Sequence, residues 1–148
     1  MKKIILLAGL LMSSGSFAMS ADCKIAHAMF EDSGLVMVDG ISMAINDGEK
    51  LTNTTVSYDE FSVWYKKVYS KKMNSLTNKY SKYKDVESNN PIYLGFVSIL
   101  ELDNFTNSLN NYMKTHDKSD LSDIKSAKSR IESAFSRLEK DCGKKYER

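Results

Sequence analysis

Few side chains in this 148-residue sequence are of types that do chemistry. There are two histidines, His27 and His116, and two cysteines, Cys23 and Cys142. A hydrolase or nucleotide-binding enzyme would show GxSxG, HExxH, a Walker loop or GxGxxG. Those spacings put a nucleophile, metal ligands or backbone amides where the reaction needs them. None of them occurs. Two histidines are too few for a histidine-rich metal site. His27 falls on an expected helix within reach of Glu31 one turn on, and reads as structural. His116-Asp117 sits in an expected linker and could ligate a metal only with help from elsewhere. The cysteines lack CxxC and CxxCH spacing, so they read as a staple and not as a redox or metal motif. No catalytic residue, metal or cofactor is expected.

The sharpest chemical feature is a charged one. From Phe61 to Lys84 there are seven lysines and no acid, with Tyr65, Tyr69, Tyr80 and Tyr83 interleaved. The stretch that follows, Asp85 to Asp117, holds five acids against one lysine. Such a basic strip is either a solvated face partly paired with a neighbouring helix or a docking surface for an acidic partner. Aromatic side chains among lysines suit an interface, since they add contact area with a polar tip. Trp64, Lys66, Lys67, Tyr69, Lys71 and Lys82 are the candidate partner-binding residues. Lys72 and Lys79 fall within the apolar face of the same helix, and Asp103 is their expected carboxylate partner.

The elements that must position these residues can be read from periodicity. A single proline, Pro91, already favours helices. The first helix spans Asp22 to Asn46, with Ala26, Met29, Phe30, Met37, Ile41 and Ala44 at helical spacing. A hairpin over Val36–Met43, turning at Asp39-Gly40, is the rival reading. The second begins with a capping box, Ser57 and Glu60, and should end near Lys84. The third opens at Asn90-Pro91. Its apolar face switches halfway, which predicts either burial on several sides or a break near Asp103-Asn104, and the break is preferred. The fourth, from Asp120, carries Leu121, Ile124, Ala127, Ile131, Ala134, Phe135, Leu138, Cys142 and Tyr146 in alternating threes and fours, as a bundle seam requires.

Residues 1–18 read as a secretory signal peptide: Lys2-Lys3, an apolar run Ile4–Met12, and a cleavage site after Ala18 or, alternatively, Ala21. Nine apolar residues are too few to span a bilayer. The whole chain has 21 basic and 19 acidic residues; without Lys2 and Lys3 the remainder balances at 19 and 19. That argues against a nucleic-acid binder. Residues 19–148 form one expected domain. In an oxidising compartment two lone cysteines pair. Four helices joined by short loops would run up-down-up-down and bring Cys23 and Cys142 to the same end.

In size and export the chain is similar in format to the periplasmic b-type cytochromes built as four-helix bundles. That resemblance implies a haem clamped between a first-helix methionine, here Met29, and a last-helix histidine. The last helix has no histidine, so Met29, Met37 and Met43 read as core. The format also resembles that of periplasmic immunity proteins paired with peptidoglycan amidases. The expectation is an all-α, four-helix exported protein that blocks a toxin or cell-wall hydrolase in a bacterial periplasm. Its partner would be a protein with an acidic surface, with a homodimer left open, and with neither nucleic acid nor a membrane span involved. The alternatives are a carrier or chaperone holding an apolar ligand within the bundle, and an envelope-binding structural protein.

Overall fold

A computed structural model describes residues 19–45 and 56–143; the expected signal peptide and Tyr146 lie outside them. The helices are α1 (Ala21–Ala44), α2 (Tyr58–Trp64), α3 (Ser70–Tyr80), α4 (Pro91–Thr115) and α5 (Lys118–Cys142). A π-helical turn, Tyr65–Tyr69, carries α2 straight into α3, and a 3-10 turn, Ser81–Tyr83, ends that segment. The protein is therefore all-helical with four helical segments, and no strand occurs among the described residues. Val36–Met43 is helix, part of α1.

The helix ends follow from local chemistry. Ser20 caps α1 by accepting from the Cys23 amide at 3.2 Å, which satisfies one of the donors a helix start leaves free. Ser57 and Glu60 form the expected reciprocal capping box on α2. Asn90 caps α4 through the Ile92 amide at 2.8 Å, with Pro91 at the first position. Asp117 caps α5 through the Ser119 amide at 2.8 Å, so this helix starts earlier than the expected Asp120.

α4 is one unbroken helix through Asp103 and Asn104, contrary to the preferred break. The physical reason is its position. α1, α5 and the α2–α3 segment all pack against it, so apolar residues are needed on more than one side and the face drifts without any kink. Leu102, Phe105 and Leu109 are fully buried at its centre, and so are the small polar residues Ser98 and Thr106. Ser98 Oγ donates to the Gly95 carbonyl at 2.7 Å and meets Ser33 Oγ of α1 at 3.0 Å. Both hydroxyls are thereby satisfied in the core, where an unpaired one would cost about 1–3 kcal/mol.

Residue pairs across the helices set their relative register. Asn90 reaches Asp22, and Ser98 meets Ser33. Lys72 pairs with Asp39, and Lys79 with Asp32. Tyr65 bonds Asn107, and Tyr69 bonds Asp103. Cys23 and Cys142 lie at disulfide distance, with Cα atoms 5.6 Å apart across a sequence separation of 119, so the start of α1 is joined to the end of α5. Beside them His27 is buried and donates from Nε2 to the Gly143 carbonyl at 3.2 Å, which gives this helical histidine a structural place.

Candidate functional site

The basic segment is divided by the π turn. In an α-helix Trp64 and Tyr69 would point about 140° apart; an i→i+5 turn brings them onto one side. Trp64 and Tyr69 are accordingly both buried, with ring centroids 5.8 Å apart, and Tyr65 stacks on Tyr69 at 5.2 Å. Trp64 also lies over Gly40 of α1, where a Cβ would come within 3.2 Å of its ring. Trp64 and Tyr69 are thus withdrawn from the expected partner-binding set, because the extra residue in the turn rotates them into the core. Tyr69 donates to Asp103 at 2.7 Å. Burial, reinforced by that carboxylate, pushes the Tyr69 phenol well above its usual range. Tyr65 is raised by burial and by the Asp103 charge.

This arrangement also corrects the expected lysine partners. Asp103 is occupied by Tyr69, whereas Lys72 pairs with Asp39 and Lys79 with Asp32, both on α1. α3 faces α1 on that side, so the carboxylates within reach come from α1. Asp32 is the better-built acceptor. It receives Lys79 Nζ and the Tyr80 hydroxyl, each at 2.6 Å. Partial burial works to raise its carboxyl, but the hydrogen bonds from Lys79 and Tyr80 prevail and hold it below the usual aspartate range.

Lys66, Lys67, Lys71 and Lys82 are all exposed. Among the described residues they enter no ion pair. Lys82 lies 4.8 Å over the Tyr83 ring. The π turn, the outer side of α3 and the 3-10 turn therefore present these four ammonium groups and no acid.

Two surface clefts adjoin this strip along the α1–α3 seam. One, of about 300 Å³, is lined by Asp32, Leu35, Val36, Lys72, Leu76 and Lys79. The other, of about 380 Å³, is lined by Lys24, Ile25, Ala28, Lys79, Tyr80 and Tyr83, with Lys82 at its rim. A third cleft, between α4 and α5, is polar and includes Asn104, Asn107, Asn111, Asp123 and Arg130. Nearby, Glu101 is buried and meets Arg130 Nε at 2.7 Å.

Among the described residues no group of three His, Cys, Asp or Glu side chains could hold a metal ion. No helix there is long and apolar enough to cross a membrane. Compared with known proteins, the chain matches no family model, no curated protein and no solved structure.

Proposed function

We propose that the chain is an exported binding protein without catalytic activity. Its role is to block a toxin or cell-wall hydrolase in a bacterial periplasm by covering an acidic face of that target. The observation carrying this reading is the acid-free lysine strip of Lys66, Lys67, Lys71 and Lys82, exposed and outside any ion pair among the described residues. Complementary charge of this kind steers association and selects partners. The reading further takes the four helical segments as an up-down-up-down bundle, with the disulfide-distance cysteines joining its first and last helices at one end. Its support is the register: numbering falls along α3 as it rises along α1, and falls along α5 from Cys142 to Arg130 as α1 and α4 rise from Cys23 to Glu101.

The carrier alternative needs room inside the bundle. Where α1 crosses α4, Gly95 and Met29 are in contact, and the small space bounded by Phe30, Gly34, Leu102 and Ile131 is about 20 Å³. That would hold about one water and no apolar ligand. The protein-binding reading is preferred on the exposed lysine strip.

The test is co-purification of the oxidised protein with periplasmic and secreted proteins, followed by mass spectrometry. A stoichiometric hydrolase or toxin whose activity is blocked is the expected result. The Lys67→Glu/Lys71→Glu variant should weaken its binding by roughly tenfold or more. Recovery of lipid or wall fragments alone would overturn the reading.

A further inference from the structure

The α1–α3 seam is a groove with an apolar floor and a cationic rim. Leu35 is 70% exposed on α1, a large apolar side chain without cover. Val36 and Leu76 lie beneath it in the same cleft. Two to three turns towards the start of α1, Ile25 and Ala28 continue the floor against Tyr80 and Tyr83. Lys79 lines both clefts, so they adjoin along one seam. From Lys24 to Leu35 it follows α1 for roughly 16 Å, three helical turns.

The rim carries Lys24, Lys72, Lys79 and Lys82, against one lining carboxylate, Asp32. Lys24 and Lys82 form no ion pair among the described residues. Lys72 and Lys79 are paired, yet their side chains stay 43% and 59% exposed, so each can still meet a second carboxylate. Apolar anchors flanked by acids would match this pattern, with the anchors over Leu35 and Ile25 and the acids against the ammonium groups.

We propose that the α1–α3 groove seats an acidic amphipathic helix of a protein partner, in the helix-in-groove manner. The proposal rests on the protein-binding reading above and names the site and the partner element. A helix is favoured over a lipid-like amphiphile by shape. Sites for small apolar ligands enclose most of the ligand's surface, whereas this depression is a long surface seam between two helices.

The probe is a fluorescein-labelled synthetic helix of leucine and glutamate, about three turns long, with a lysine-for-glutamate counterpart as control. Fluorescence anisotropy of the labelled acidic peptide should rise on addition of the oxidised protein, and that of the basic one should not. Affinity should drop roughly tenfold or more in Leu35→Glu and in Lys24→Glu/Lys82→Glu. Position 35 is exposed, so Leu35→Glu should keep its fold, and an unchanged thermal midpoint checks this. Equal binding of both peptides, or an unchanged affinity in Leu35→Glu, overturns the groove. Binding of decanoate without binding of the acidic peptide overturns the occupant. If Lys67→Glu/Lys71→Glu weakens capture of the natural partner while Leu35→Glu does not, the lysine-strip reading stands and the groove falls.

Discussion

Gly95 of α4 lies against Met29 of α1 so closely that a Cβ at position 95 would sit 2.6 Å from the Met29 sulfur and 2.9 Å from its Cβ. Glycine weakens a helix by about 1 kcal/mol relative to alanine. Here it permits the contact that lets two helices share Ser33 and Ser98 in their interface. Gly95→Ala should therefore lower stability, by about 1–3 kcal/mol as for other overpacked cores. Gly34 has no atom within 4 Å of its ideal Cβ. Gly34→Ala should raise stability by up to about 1 kcal/mol. Urea midpoints of the two variants should move in opposite directions; a shift in the same direction would contradict the packing.

Joining Cys23 to Cys142 closes a loop spanning a sequence separation of 119. In the chain-entropy model this is worth roughly 4–5 kcal/mol. Reductant, or the double variant Cys23→Ser/Cys142→Ser, should lower the thermal midpoint by many degrees. Oxidised wild-type protein with no thiol titratable under denaturing conditions is the accompanying check.

Glu101 is the carboxylate whose environment bears most directly on pH dependence. Burial acts to raise its pKa, but hydrogen bonds from Arg130 and Asn104 outweigh burial and hold it below the usual glutamate range. A group depressed on folding stabilises the native state above its unfolded pKa, and that contribution is lost as pH falls through the folded value. Asp32 acts in the same direction. Stability should thus decline as pH drops below the ordinary carboxylate range. In Glu101→Gln the decline should be shallower, read from thermal midpoints across an acid series.

Tyr69→Phe removes the hydroxyl that donates to Asp103 while leaving the ring packed against Trp64. The expected loss is about 1–2 kcal/mol, since the half-buried carboxylate loses its donor. Deleting the exposed Val68 should cost less, because it sets Trp64 and Tyr69 four residues apart, and a regular α-helical turn then keeps them about 40° apart on one side. Chemical denaturation of both variants ranks them, and an order with the deletion more costly would contradict the role of the π turn.

The sequence offers a cleavage site after Ala18 and another after Ala21. Ser20 accepts from the Cys23 amide as the cap of α1, and removal of residues through Ala21 would delete it. Intact-mass analysis of exported protein should show a chain that begins at Met19.

The sequence by itself determined the helical class, the capping residue Ser57, the start of α4 at Asn90 and Pro91, and the pairing of Cys23 with Cys142. These rest on local chemistry, or on the fact that two lone cysteines have only each other. Tertiary structure decided the rest of the site. The π turn that buries Trp64 and Tyr69 breaks the 3.6-residue spacing on which the periodicity argument depends, and Trp64 and Tyr69 carry no mark of it. The continuity of α4 through Asp103 follows from neighbours on several sides, which one helix's pattern cannot distinguish from a kink. The ion-pair partners of Lys72 and Lys79 depend on which helix lies beside α3. The acids of α1 won over Asp103 because a salt bridge is made by proximity in space, and a sequence records only proximity along the chain.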